Sequence, residues 1–245
     1  MKRRLFLCAV GCAAFVLFPL EARAREKVEA TLGLDLVSNY IWRGQDFGGA
    51  AFQPTLAVAY KGLSLTCFGN YGFVDRDDTK EVDFTLAYAW KGLTVGITDY
   101  YCTAGREGCP GNYFLYKNSR TRHVFEAGLD YDFGFLSVNW YTNVAGADGV
   151  NKSGKRAYTS YVEVTAPFKL AMLDWAATVG AVPYASSFYA KADGFAVTCV
   201  SLKAGYDIPL GNKFVLPLSA TVTANPSAKK MFFTVGVSFT IDNNR

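Results

Sequence analysis

Few side chains in this sequence combine the type and the spacing that chemistry requires. His123 is the only histidine, and it lies in phase with the apolar residues Phe125 and Leu129. A histidine activates a serine hydroxyl only within hydrogen-bonding reach, but the chain reads HVF from this position, so the H-x-S spacing of phospholipases is absent. Ser119 is only a loose candidate for a nucleophile. We therefore expect no enzyme, and a lipid hydrolase or acyltransferase is the least favoured alternative.

The cysteines and the clustered acids do not favour a metal or cofactor site. The cysteines after residue 24 form no C-x-x-C pair, and with a single histidine in the chain zinc and haem binding have little support. Cys102 and Cys109 flank a glycine-bearing loop, and we predict a disulfide between them because exported proteins can keep such bonds. Cys67 and Cys199 lie in apolar runs and are interpreted as small hydrophobic residues. The acids within residues 75–78 lack the spacing of a calcium loop, so we interpret them as solvated.

A larger set of charged residues has a spacing that suits ion selection. By the two-residue period, all of these residues point to the polar side of their segments. The predicted set is Asp35, Arg43, Glu81, Asp83, Arg122, Glu126, Asp130, Glu163, Asp174 and Lys203. Acids outnumber bases in this set, and rings of acidic side chains favour cations in a narrow pore. We therefore predict a weak cation preference if these residues line an open bore.

The segments that carry these charges have the two-residue period of β-strands. Residues 82–90 are typical, because Val, Phe, Leu, Tyr and Trp occupy every second position. Twelve such segments are predicted near 28–42, 52–60, 63–72, 81–90, 93–101, 121–131, 135–143, 157–167, 171–182, 194–206, 214–223 and 231–241. Tight turns such as Lys61-Gly62 and Lys91-Gly92 alternate with longer loops rich in Gly, Asn, Ser, Asp and Lys. This layout predicts an all-β chain that closes into a single antiparallel transmembrane β-barrel, with both termini at the short-turn, periplasmic end and the longer loops outside the cell.

A soluble β-sandwich also alternates, and it is the alternative fold. Three features favour the membrane: strands of about ten residues match the length needed to cross at a tilt, charges lie mid-strand on the polar face, and aromatic residues collect at both strand ends. At the loop ends we predict Tyr40, Trp42, Tyr71, Phe73, Tyr100, Tyr101, Tyr141 and Tyr158 as such a belt. Tyr40 and Trp42 are expected to face lipid where the first strand ends, and Arg43 to point inward and pair with interior acids.

The N-terminal segment indicates export. Residues 1–24 combine a basic start, an apolar run and an A-x-A site that ends at Ala24, which predicts a cleaved signal peptide followed by the barrel over residues 25–245. A lipoprotein signal ending at Cys12 is the alternative. Cleavage after Ala24 leaves basic and acidic residues nearly balanced, so nothing favours a nucleic-acid partner. The expected location is the outer membrane of a Gram-negative-type envelope, and the expected partners are its lipid and small hydrophilic solutes.

Residues 33–63 resemble the N-terminal part of the TorF-like porins. The motif S-x-Y-x-[aromatic]-R-G is filled by Ser38, Tyr40, Trp42, Arg43 and Gly44. A Gln-Pro pair and a Gly-Leu turn follow, as in that family. The resemblance implies a porin-like barrel for passive diffusion of small solutes. A closed structural barrel whose loops bind a surface partner is the alternative function, because twelve strands lie between barrels filled by side chains and barrels filled by water.

Overall fold

A computed structural model describes residues 27–76, 78–103, 111–117, 120–210 and 214–243. Fourteen strands lie within these ranges: β1 Glu29–Val37, β2 Ile41–Trp42, β3 Gln45–Asp46, β4 Ala51–Tyr60, β5 Leu63–Gly72, β6 Lys80–Trp90, β7 Leu93–Cys102, β8 His123–Asp132, β9 Ser137–Gly146, β10 Ser160–Leu170, β11 Leu173–Val182, β12 Ala196–Leu210, β13 Phe214–Asn225 and β14 Lys230–Asp242. The predicted signal peptide lies outside the described residues.

Twelve of these strands close into one barrel, and β2 and β3 form a separate two-stranded hairpin. Each barrel strand pairs antiparallel with its neighbours, and β1 closes the ring by pairing with β14, where Leu34 faces Phe239. Closure leaves no open edge in the barrel, so every barrel strand has two hydrogen-bonded neighbours. The predicted fold class, a closed antiparallel barrel of twelve strands, is confirmed. The part of the chain that the structure describes contains no helix long and apolar enough to cross a membrane.

The connections at the two ends differ as the sequence predicts. At one end the links are tight, and in Lys61-Gly62 and Lys91-Gly92 both central residues have positive φ, which is the type I′ geometry that suits the twist of two-residue hairpins. Asn243 lies at this end, where its side chain bonds the backbone of Val28 and Ala30. The long connections lie at the opposite end. Among the described residues at that end, the β2–β3 hairpin is the element that the strand pattern did not predict.

The two faces of the wall have opposite chemistry. Large apolar side chains on alternate positions are exposed on the outside, among them Leu56, Leu86 and Val179. The inner positions carry Thr, Ser, Asn, Asp and Glu, and many of these are buried. Because apolar residues face outward and polar residues inward, the barrel is inverted relative to a soluble β-sandwich, whose apolar faces meet in a core.

Candidate functional site in the barrel lumen

The lumen near the long loops is occupied by the β2–β3 hairpin. The chain leaves the wall after Val37 and turns at Arg43 and Gly44, whose φ angles are +50° and +79°. Two successive residues with positive φ form a type I′ turn, so Arg43 stands at the hairpin tip. The Gly44 carbonyl accepts a hydrogen bond of 3.0 Å from the Asn225 side chain of β13. The hairpin therefore reaches the inner wall two strands away from β1, because only β14 lies between β1 and β13.

Arg43 forms a buried ion pair with Glu126 of β8. The guanidinium donates to both carboxylate oxygens, at 2.5 Å and 2.9 Å, and the two side chains are 2% and 1% exposed. This is the pairing of Arg43 with an interior carboxylate that the sequence predicts. A bidentate arrangement of this kind is directional as well as strong, so it fixes the hairpin tip against the wall.

Aromatic rings enclose the Arg43 guanidinium. Its carbon lies 4.2 Å to 5.2 Å from four ring centroids, those of Trp42, Tyr141, Tyr161 and Tyr189. Cation–π contacts of this length stabilise a desolvated guanidinium by about 0.5–2 kcal/mol each. The rings thus replace part of the water that Arg43 loses on burial.

Tyrosine hydroxyls bond the inner carboxylates around this pair. Tyr100 donates to Glu126 at 2.9 Å, and Tyr189 donates to the same carboxylate while its oxygen accepts from Arg43. Three further pairs follow the wall: Tyr40 to Glu81 at 2.9 Å, Tyr141 to Asp130 at 2.7 Å and Tyr161 to Glu163 at 2.7 Å. A hydroxyl donor orients a carboxylate without cancelling its charge. Among the described residues, the lumen therefore holds ordered acids in excess of its paired cation.

The predicted lipid-facing anchor of Tyr40 and Trp42 is wrong. The two side chains are 2% and 5% exposed and lie inside the barrel with Tyr100 and Tyr141. Strand one ends at Val37 rather than at residue 42, so the alternation of residues 38–42 belongs to the hairpin and not to the wall.

The prediction that Tyr100 and Tyr141 belong to the outer aromatic belt is also wrong, because both side chains are buried. Tyr100 is in phase with inward Thr98, and Tyr141 is in phase with inward Asn139 and Asn143, so their positions in the sequence do indicate the lumen. Tyr71, Phe73 and Tyr158 are exposed on the outside as predicted. Tyr189 lies in the loop after β11, and nothing in its sequence context signals its role.

The other residues predicted for the inner wall occupy both ends of the bore. Asp35 on β1 lies opposite Ser238 and near Lys203 of β12. Asp174 pairs with Lys169 at the short-turn end, where both side chains are well exposed. Arg122 precedes β8 and donates to the Thr103 carbonyl at the loop end. Whether a permeating solute contacts any of them stays a prediction.

All five residues of the S-x-Y-x-[aromatic]-R-G motif hold the hairpin in place. The Ser38 backbone amide donates to the Val235 carbonyl of β14 at 2.9 Å, and its hydroxyl accepts from the Val235 amide at 3.0 Å. Tyr40, Trp42 and Arg43 fill the lumen, and Gly44 bonds β13. The motif therefore specifies where the chain leaves the wall and how it enters the bore.

Asp78 joins the base of the hairpin to the β5–β6 loop. Its carboxylate accepts from the backbone amides of Gly49, Val74 and Asp75 at 3.1 Å, 2.9 Å and 2.8 Å. These backbone donors, that of Asp75 first, hold the pKa of the Asp78 carboxyl below its usual range. The interpretation of Asp78 as a solvated loop acid is wrong, since it is only 7% exposed. Asp77 lies outside the described residues.

His123 faces outward from β8 but is covered by the loop segment 111–117. Its Nδ1 lies 2.7 Å from an Asp99 oxygen, and its Nε2 lies 2.5 Å from the Tyr113 carbonyl oxygen. The ring is fully buried and stacks on Tyr116, with centroids 4.2 Å apart. A carbonyl oxygen only accepts, so Nε2 carries a proton and is occupied. This geometry fixes the loop on the wall and leaves the ring no nitrogen free to activate a nucleophile; Ser119 lies outside the described residues.

Neither the predicted disulfide nor a metal site is assigned by the structure. Cys109 lies outside the described residues, so the Cys102–Cys109 bond stays a prediction. No cluster of three or more His, Cys, Asp or Glu side chains suited to a metal ion occurs within the described ranges.

Comparisons with known proteins reach solved barrels only at low similarity. No family model and no curated protein matches the chain. A structure from work on the in-meso crystallization of membrane proteins is 9% identical, covers 89% of this chain and 85% of that chain, and has a TM-score of 0.46. CdiB from Acinetobacter baumannii is 11% identical over 88% of this chain and 60% of its own, with a TM-score of 0.41.

A third structure, the Salmonella typhi OmpF complex with daunomycin, is 9% identical over 88% of this chain and 97% of its own, with a TM-score of 0.36. At these identities and scores the likeness carries no argument about function. The kinship of residues 33–63 with TorF-like porins stays an interpretation of the motif.

Proposed function

We propose that the chain is an outer-membrane β-barrel that passes small hydrophilic solutes by diffusion, with the β2–β3 hairpin as its constriction. The observation that carries the proposal is the inverted wall, whose outside is apolar and whose inside is polar and acidic. Within hydrocarbon only a closed barrel or a helix satisfies the backbone hydrogen-bonding groups, and this barrel is closed. The motif resemblance to TorF-like porins supports the same function.

Two further features support a membrane environment. The wall strands are 9 to 15 residues long, enough to cross a hydrocarbon core at a tilt. Tyr60, Trp90, Tyr131 and Phe168 are exposed next to the short turns, at the depth where amphipathic rings favour the interface.

A closed structural barrel is the second candidate, and the hairpin itself favours it. Tyr40, Trp42 and Arg43 are each at most 5% exposed, so the bore is tightly packed at this level. On this account the long loops bind a surface partner and no solute passes.

A fractionation experiment tests the membrane assignment, and liposome swelling separates the two candidates. We expect the mature chain in the outer-membrane fraction, running faster on a detergent gel before boiling than after. Liposomes containing the barrel should swell faster in a small sugar such as arabinose than in a tetrasaccharide such as stachyose. A monomer found soluble in the periplasm would refute the membrane reading, and membrane insertion without swelling in either sugar would favour the closed barrel.

A further inference from the structure

Asp83 of β6 occupies an unusual position in the lumen. Its neighbours Val82 and Phe84 are exposed on the outer face, so Asp83 points inward, and it is 1% exposed. Unlike Glu81, Glu126, Asp130 and Glu163, it has no tyrosine hydroxyl bonded to it. Neither of its carboxylate oxygens has a hydrogen-bond partner of good geometry among the described residues, although the Tyr101 backbone amide and the Glu81 carboxyl interact with it.

The surroundings of Asp83 add further acceptors. Glu81 lies two residues away on the same face and uses one oxygen to accept from Tyr40. Gln53 of β4 donates to Asn70 at 2.9 Å, and its carbonyl oxygen is buried without a donor. Asn70 is the register partner of Glu81, so Gln53, Asn70 and Glu81 follow one another around the wall. None of the ion pairs within the described residues involves Asp83 or Glu81.

Aromatic rings flank the Asp83 carboxylate on both sides. Phe68 of β5 is its register partner on one neighbouring strand, and Tyr100 of β7 is its partner on the other. Register partners lie about 5 Å apart in an antiparallel sheet. Both rings are buried on the lumen side, at 8% and 6% exposure. A carboxylate between two rings offers charge and π-faces together, which is the chemistry that recognises an organic ammonium group.

We propose that the Asp83 side of the lumen binds the ammonium group of a cationic amine, held by Asp83 and Glu81 with Phe68 and Tyr100 beside it. A buried carboxylate without a well-formed hydrogen bond is costly, and an ammonium group supplies three donors and the opposite charge. The site deepens the proposed channel, because it names organic cations as the solutes that the constriction would retain. It rests on that function for its physiological use but not for binding itself.

Calorimetric titration of the barrel in detergent tests the site without requiring conduction. The probe is ethylammonium chloride, and propan-1-ol is its neutral counterpart of similar size. We expect saturable binding of ethylammonium and none of propanol. Asp83→Asn should weaken ethylammonium binding about tenfold or more, the magnitude of a charge-assisted contact, while Asp193→Asn, which removes the same charge from an exposed loop, should leave it unchanged.

A second variant guards against a folding defect in Asp83→Asn. Phe68→Leu keeps every charge and should weaken ethylammonium binding several-fold through the lost ring, with heat-modifiable gel migration verifying that both variants are folded. Absence of saturable binding in the wild type, equal binding of propanol, or full binding in folded Asp83→Asn would each overturn the site. Ethylammonium binding without liposome swelling would support the site and contradict the channel. Swelling without ethylammonium binding would support the channel and contradict the site.

Discussion

Arg43 is the residue on which the lumen structure depends most. Its guanidinium and the Glu126 carboxylate are almost fully buried, and removing one partner leaves the other charge unpaired in a water-poor site. We predict that Arg43→Ala lowers the free energy of unfolding by about 3–5 kcal/mol, measured by urea unfolding of the barrel in lipid vesicles.

The exposed ion pair between Lys169 and Asp174 supplies the control. Its side chains are 73% and 43% exposed, so Lys169→Ala should cost about 1 kcal/mol or less. Equal losses of unfolding free energy in Arg43→Ala and Lys169→Ala would show that the Arg43–Glu126 pair is solvated and not buried.

A substitution at Gly44 tests how closely the hairpin tip packs against the wall, without changing any charge. A Cβ atom at this position would lie 1.8 Å from the Thr198 carbonyl oxygen, whereas at Gly134, which has a similar positive φ, it would meet nothing within 4 Å. Both alanine variants carry the strain of a left-handed residue, about 1–2 kcal/mol. We predict that Gly44→Ala also displaces the hairpin and destabilises the barrel clearly more than Gly134→Ala, measured by the same urea unfolding. Similar losses in the two variants would contradict the close approach of the hairpin to β12.

At the scale of elements, the hairpin is held at its base as well as its tip. Asp78 connects Gly49 to the turn that follows β5. Because backbone donors lower its folded pKa, the carboxylate stabilises the fold above its unfolded pKa of about 4, and this contribution is lost as the pH falls through the lower folded value. Asp78→Asn should therefore lower the urea midpoint at pH 7 by less than Arg43→Ala does.

The pH dependence identifies the cause of that loss. The difference in midpoint between wild type and Asp78→Asn should shrink below about pH 4 and vanish once the native carboxyl is protonated. A difference that persists unchanged at pH 2 would show that shape, and not charge, is responsible.

The longest loop carries a separate prediction. We expect a Cys102–Cys109 disulfide in protein matured in the cell, because export permits it and the loop is short. Such a small ring adds a few kcal/mol at most. Mass spectrometry of the unreduced protein would locate the bond, and two alkylated thiols would count against it.

At the scale of the whole molecule, the wall and the phase of its inner residues could be predicted from the sequence, whereas alternation alone does not reveal the hairpin in the lumen. The two-residue period and the Lys-Gly turns report local geometry, which is why the predicted β5 ends and those of the structure coincide at residues 63 and 72. The hairpin has the same period as a strand, so alternation alone extends strand one through Trp42.

The signals that separate hairpin from wall lie in turn chemistry and long-range contacts. Arg43-Gly44 is a turn pair with the basic-Gly pattern of Lys61-Gly62 and Lys91-Gly92, and this pattern marks a two-residue hairpin tip. The pairing of Arg43 with a carboxylate follows from charge, but the choice of Glu126, 83 positions away, depends on barrel closure. Tyr189 reaches the same site from a loop and has no local signal.

Planar-bilayer recording shows directly whether this barrel conducts through an acidic bore narrowed by the hairpin. Under a KCl gradient we expect the wild type to give a small conductance. Its reversal potential should have the sign that indicates a preference for cations, because ordered acids outnumber the paired Arg43 in the lumen. Replacing residues 39–48 with a short Gly-Ser turn should raise the conductance and keep that sign. Silent bilayers with both proteins would rule out conduction, and a clear anion preference in either would rule out an acidic bore as the path of the ions.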